Sequence, residues 1–227
     1  MDIFLWAALV LSILIAVTAT VFTGWQYLKL QDFQRSVAEP LSQMTDTLKG
    51  VEREVHLHYL AEQTWAHVID LQIQAMERLA EVHHGKQAKA FASLANQLQV
   101  RKMRLTDRYE EMTYPSITSL AKGNVVRYNL KLLGQLLVDQ VAEGRIDTGS
   151  IETLKSDIVI GADLVLAEAM LLQAGQHVSR KEYEEGLELI ERLFIKLDEI
   201  QDLRNVSDIR TAAEEIFERC QKKLGYR

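Results

Sequence analysis

The chain has 227 residues, of which 26% are charged, and it carries a net charge of −6 with two prolines and one cysteine. This acidic balance argues against nucleic-acid binding, which relies on clustered Lys and Arg to neutralise phosphates. The single thiol, Cys220, excludes an intramolecular disulfide and agrees with a reducing compartment.

Residues 1–25 predict a membrane anchor. The run from Ile3 to Thr23 has no charged residue, and as a helix it extends roughly 30 Å, the hydrocarbon thickness of a bilayer. Trp6 and Trp25 lie near its two ends, where amphipathic rings prefer the headgroup region. A cleavable signal would carry a basic segment before the apolar run, and none precedes it. We therefore expect a retained transmembrane helix.

The basic residues near this run predict its orientation. Lys29, Arg35, Lys49 and Arg53 follow the run, and no basic residue precedes it. Because Lys and Arg are retained on the cytoplasmic side, the N-terminus should lie outside and the rest of the chain in the cytoplasm. The expected localisation is a cell inner membrane crossed once.

A seven-residue repeat follows, from residue 30 to 83. One phase runs from Leu30 every seven residues to Leu79, and a second phase begins four residues later at Gln34. Mostly apolar a and d positions over this length predict a long helix that packs along a seam. Pro40 and Gly50 are the two places where that helix is expected to kink or break.

The glycine in "HHGK", residues 83–86, predicts a reversal of the chain. Residues 26–113 then form a long helix and an antiparallel coiled-coil hairpin whose shorter second arm covers only the membrane-distal half of the first. The rest of the seam needs another cover: a second copy, another protein or the C-terminal helices. Self-association is favoured, through Leu30, Val37, Leu41, Met44, Leu48, Val51 and Val55.

Residues 114–227 predict a C-terminal bundle of four helices, separated from the hairpin at Pro115. Its first helix should bury, among others, Leu120 and Tyr128, and the second has an apolar face wide enough for the centre of the bundle. "SRKE", residues 179–182, is typical of a capping box that opens the third helix, and a fourth begins near Ser207. The bundle could stand apart from the hairpin or pack against it. The fold class is thus all-α.

The candidate chemistry is sparse. His58 and Glu62 fall within the seam, where a polar pair either fixes the register or acts as a pH-sensitive latch. Glu81 and His84 form one Glu-x-x-His pair, but a di-iron bundle needs a second pair, so no metal site is assigned. No phosphate loop or nucleophile motif occurs, so no catalytic residue and no cofactor is expected. Tyr109 and Tyr114 are candidates for a docking surface.

These features favour a protein that is not an enzyme. The first interpretation is a single-pass, membrane-anchored scaffold or adaptor that self-associates through its stalk and recruits an unidentified protein partner at the cytoplasmic face. The alternative is a signalling or regulatory component that transmits a conformational change between the membrane and the bundle.

Overall fold

The fold is known from a computed structural model that describes residues 2–105, 117–143 and 148–225. These ranges contain α-helices and short helical turns and no strand, so the all-α class is confirmed for them. The α-helices, numbered here in chain order, are α1 (Asp2–Phe33), α2 (Glu39–Glu54), α3 (Glu62–Val82), α4 (Lys86–Met103), α5 (Leu120–Ala142), α6 (Thr148–Ser179), α7 (Tyr183–Ile200) and α8 (Ser207–Leu224).

One helical path runs without a break from Asp2 to Glu54. A π-helical segment, Gln34–Ala38, joins α1 to α2 just before Pro40. Proline lacks the N–H that would bond to the carbonyl of Ser36, so the wider π spacing absorbs the missing hydrogen bond. Gly50 lies inside α2 and does not interrupt it, which corrects its prediction as a break point.

The predicted long helix ends instead at residues 55–61, which we call the α2–α3 turn. The chain leaves the helix at Val55, makes a short 3₁₀ turn over Leu57–Tyr59 and re-enters a helix at Glu62. The seven-residue pattern runs on through this turn in the sequence, and Val55, Tyr59 and Leu60 of the turn are all buried. Apolar spacing alone therefore did not reveal where the helix stops.

The hairpin predicted at "HHGK" is present, formed by α3 and α4. Gly85 lies between them with φ of +63°, a backbone conformation that favours glycine. The hairpin folds back along α2, since Arg101 near the end of α4 forms an ion pair with Glu52 near the end of α2. Its tip consequently lies beside the start of α2, where α1 arrives. The tip is therefore close to the end of α1, whereas one continuous helix over residues 30 to 83 would place it at the far end of a rod.

Helices α5 to α8 form an antiparallel four-helix arrangement. Gly123 of α5 lies against Ala169 of α6, Lys196 of α7 pairs with Asp163 of α6, and Arg210 of α8 pairs with Asp198 of α7. Helix α6 contacts all three of the others, as expected of a central helix.

Two local predictions for these helices are wrong. Leu120 and Tyr128 of α5, expected inside, are 39% and 61% exposed, because Val126, Leu130, Leu133 and Leu137 form the buried stripe instead. Ser179 does not cap α7. It is the last residue of α6, where its hydroxyl donates to the Gly175 carbonyl.

The two parts of the chain share one apolar core. Helix α5 packs on α2, where Asn129 approaches Gly50 and Lys122 forms an ion pair with Glu54 at 2.6 Å. The seam residues Leu41, Met44, Leu48, Val51 and Val55 are buried within the chain itself. Helix α3 of the hairpin and helix α5 therefore cover this part of the seam, which is not free for a second copy. Val37 is half-buried, and Leu30 stays exposed.

Within the described residues, one helical stretch, Gly149–Ser179 of α6, is long and apolar enough to cross a membrane. In this fold it is enclosed by α5, α7, α8 and the α2–α3 turn. It also holds two buried carboxylates, Asp157 and Glu168, that form hydrogen bonds with other elements. These contacts make it the central helix of the bundle. We call helices α2 to α8, with the segments that join them, the body.

Candidate functional site

The most polar part of the interior is the surface where the α2–α3 turn lies on α6. Asp157, Gly161 and Glu168 form this surface. Their spacings of four and seven residues place them on one face of a helix. We call these three residues the turn-binding face of α6.

Glu168 occupies one end of the face and is 2% exposed. Its carboxylate accepts hydrogen bonds from the Tyr59 hydroxyl at 2.8 Å, from the Ile117 main-chain N–H at 3.0 Å and from Nε2 of His58 at 3.1 Å. Buried carboxylates are costly unless donors satisfy them, and three donors do so here. Glu168 thus joins the α2–α3 turn and the start of the α5 segment to α6.

Opposing effects act on the pKa of the Glu168 carboxyl. Burial raises it, while the hydrogen bonds from His58 and Tyr59, the charge of His58 and the Ile117 N–H lower it. The donors prevail, so the pKa lies below the ordinary glutamate value. Glu168 is therefore ionised at neutral pH and serves as a fixed acceptor.

His58 extends this network towards solvent. Its Nδ1 lies 3.0 Å from Nδ1 of His56, which is exposed. In this contact one imidazole nitrogen donates and the other accepts, and the tautomers of the two rings decide which. The result is a chain of two imidazoles and a carboxylate.

His58 and Glu62, predicted to lie in one helical seam, belong to two different elements. His58 lies in the 3₁₀ turn, whereas Glu62 is the first residue of α3 and is exposed. The two residues therefore do not occupy a helical seam. The carboxylate that bonds to Nε2 of His58 comes from a helix more than one hundred residues further along the chain.

Asp157 holds the other end of the α2–α3 turn. Its Oδ2 accepts the main-chain N–H of Ala61 at 2.7 Å, and its Oδ1 pairs with Arg204 in the segment between α7 and α8. Between the two acids, Gly161 lies directly against the carbonyl group of Tyr59. The turn is thus bound at both ends and packed tightly in the middle.

One cavity borders the turn-binding face, and a second lies apart from it. The first, of about 600 Å³, borders Glu168 and is lined by Ile117, Leu171, Leu172 and Arg180, among others. The second, of about 540 Å³, lies where α1 meets the body and is lined by residues of four helices, including Gln31, Glu39, His83 and Phe91. Both are open to the surface.

No group of three or more His, Cys, Asp or Glu side chains suited to a metal ion occurs in the described ranges. Glu81 and His84, the Glu-x-x-His pair, are both exposed. The docking candidates Tyr109 and Tyr114, and the predicted boundary at Pro115, lie outside the described residues.

Comparison with models of known protein families, with curated proteins and with solved structures finds no match to this chain. Inference about function therefore rests on the residues themselves. Sequence reasoning missed the turn-binding face, although a signal was present: Asp157, Gly161 and Glu168 share one face of a helix that is otherwise strongly apolar.

Proposed function

We propose that this protein is a single-pass, membrane-anchored helical adaptor whose body lies at the cytoplasmic face and binds a protein partner there. The observation that carries the proposal is α1. All its side chains from residue 14 to 30 are exposed, including Leu14, Ile15, Val21, Phe22 and Trp25. Apolar surface left in water costs about 25 cal/mol for each Å², so a surface of this extent calls for lipid or protein around it.

The polar groups of α1 are satisfied within the helix, as a lipid environment demands. The hydroxyls of Thr18, Thr20 and Thr23 donate to main-chain carbonyls one turn earlier, at 2.7 to 2.9 Å. Lys29 places its ammonium group 3.8 Å from the ring centroid of Trp25. This pairing of an aromatic ring and a cation is typical of the headgroup region.

Self-association of the adaptor is proposed through α1, because the seam between Leu41 and Val55 is occupied by the chain itself. Ala16, Thr20 and Gly24 follow one another at four-residue spacing on one face of α1. Small residues at this spacing let two helices approach closely within a bilayer. Nothing in the body lies within 4 Å of a Cβ added at Gly24, which leaves that face open to a second copy.

The anchor is tested by alkaline extraction of membranes that contain the full chain. We expect the chain to stay in the membrane pellet, and Val17→Arg to weaken its retention, since an arginine near mid-membrane costs about 3 kcal/mol on insertion scales. The matched control is Val159→Arg, at a 60% exposed position of α6 in the body. Release of the unaltered chain by alkali would refute the anchor.

Orientation and partner need separate measurements. Protease added outside intact cells should leave the body uncut, and protease added to inverted vesicles should degrade it. A partner is sought by crosslinking in native membranes and then by reconstitution of the purified pair. Digestion of the body from outside would contradict the proposed orientation while leaving the anchor intact.

The alternative function, transmission of a conformational change, is supported by the unbroken helical path from α1 into α2. The π segment Gln34–Ala38 lies on this path, and single π turns within helices are frequent at functional sites. Pro40→Ala restores the missing N–H and should favour regular helix, which alters the rotation of α1 relative to α2. Under this alternative, Pro40→Ala changes the signal that the protein transmits in cells, while membrane retention and partner binding persist. A signal that Pro40→Ala leaves unchanged favours the adaptor.

A further inference from the structure

The tip of the α3–α4 hairpin is a small cationic surface. Residues 84–89, which we call the hairpin tip, contain His84, Lys86 and Lys89, all exposed. No acidic residue occurs between positions 82 and 105, although the chain as a whole has a net charge of −6. The tip thus has the opposite sign from the rest of the molecule.

The fold brings this tip close to the end of the proposed anchor. His83 and Phe91, which flank the tip, line the same cavity as Gln31 of α1. Gln31 is four residues past Tyr27, or about 6 Å along a helix. If α1 spans the bilayer, Trp25 and Tyr27 lie at the depth of the lipid headgroups. The tip then lies close to the headgroup region.

The helices beside the tip carry three acidic groups and one lysine, and within the described ranges none of these acids pairs with Lys86 or Lys89. Glu81 is exposed on α3 one turn before the tip, and Glu39, Asp46 and Lys49 of α2 line the cavity beside it. Lys86 and Lys89 form no ion pair with any residue in the described ranges. Their ammonium groups are therefore available to an external anion.

We infer that the hairpin tip binds the anionic headgroups of the membrane in which α1 is anchored. This inference rests on the proposed anchor and adds a second point of contact with the same bilayer. Juxtamembrane Lys and Arg are attracted to acidic lipids within a Debye length, about 8 Å at physiological salt. With α1 and the tip both held, the body has a fixed tilt and a fixed face towards the membrane.

The test uses the full chain in nanodiscs of neutral or acidic phospholipid, each containing the same neutral lipid with a nitroxide on its headgroup. A fluorophore is attached at Gln87→Cys. The native Cys220 is buried, and burial raises the pKa of its thiol, so it stays unlabelled. Nitroxide quenching of the fluorophore reports how close the tip lies to the headgroups.

We expect stronger quenching in acidic nanodiscs than in neutral ones, and loss of the difference at high salt. Lys86→Gln combined with Lys89→Gln should weaken docking of the tip to acidic lipid about thirtyfold, since each lysine contributes about fivefold at an acidic surface. The matched control is Lys222→Gln with Lys223→Gln, two exposed lysines in the last turn of α8.

Each outcome bears on one claim. Equal quenching in neutral and acidic nanodiscs overturns the lipid contact, as does equal loss in both lysine pairs. Failure of the chain to co-elute with nanodiscs of either kind refutes the anchor instead. The docking claim and the anchoring claim are therefore separated by one set of samples.

Discussion

Gly161 and Tyr59 approach each other more closely than any residue with a side chain would permit. A Cβ built on Gly161 would overlap the carbonyl oxygen of Tyr59 and would stand 3.2 Å from its carbonyl carbon. Both are backbone atoms of a turn that is hydrogen-bonded on either side, so they cannot move aside easily. This contact determines how near the α2–α3 turn lies to α6.

Gly161→Ala should therefore destabilise the body. Overpacking against fixed atoms costs typically 1–3 kcal/mol, and we expect a loss of about that size in the free energy of unfolding. The measurement is the midpoint of chemical denaturation in detergent, followed by circular dichroism. Gly134→Ala is the control, because nothing lies within 4 Å of a Cβ there and alanine favours the helix by about 0.5–1 kcal/mol. Equal midpoints for the two variants would contradict the close contact.

Tyr59→Phe tests the hydrogen bond to Glu168. The substitution keeps the ring and removes the hydroxyl that donates to a buried, ionised carboxylate. Hydrogen bonds to charged groups contribute about 1.5–3 kcal/mol, and a loss in that range is expected in the same assay. Tyr128→Phe, at a 61% exposed tyrosine of α5, should leave stability unchanged. A neutral result for Tyr59→Phe would mean that Glu168 does not depend on this donor.

The pH dependence of unfolding follows from Glu168. Its pKa is lower in the folded chain than the ordinary value of 4.5. The unfolded chain therefore binds a proton at higher pH than the folded chain does, and Glu168 stabilises the fold fully above that ordinary value. This stabilisation is lost as the pH falls through the folded pKa. Glu168→Gln should flatten that part of the profile, whereas Glu185→Gln, at an exposed position of α7, should preserve it.

If the chain self-associates through α1, bulky substitutions on that face should lower the average mass of the particles in detergent. Ala16→Leu with Gly24→Leu should block close helix approach and reduce the proportion of dimers or larger species. Light scattering of the full chain in detergent measures this. Ala19→Leu, on a different face of α1, is the control. A monomeric unaltered chain would end the proposal, and the body would then act as a single copy.

Much of the architecture could be predicted from local sequence. The charge-free opening of the chain gave a long helix, and Gly85 marked the hairpin correctly because its positive φ is a local requirement. The start of α8 at Ser207 was predicted as well. In each of these cases the signal lies within a few residues of the feature.

The errors share a physical cause. Nothing in the residues from Val55 to Ala61 demands the end of a helix; the turn is held there by Glu168 and Asp157, about one hundred residues away. The seam was assigned to a second copy because periodicity reports an apolar face and does not identify what covers it. Tyr128 is expected inside from the apolar pattern of its helix, but the stripe of α5 that is buried has another phase. In all three cases, contacts between residues far apart in the sequence determine the structure.

If α1 is the membrane anchor proposed above, the fold-back of the hairpin also shortens the reach of the segment that follows α1. A single helix over residues 30 to 83 would be a rod of roughly 80 Å, whereas the 16 residues of α2 extend only about 24 Å. The segment that follows α1 is therefore folded back beside the end of α1 and does not extend away from it as a rod. A partner held by the proposed adaptor would stay next to the bilayer, among other membrane-bound molecules, and would diffuse in two dimensions with the anchor.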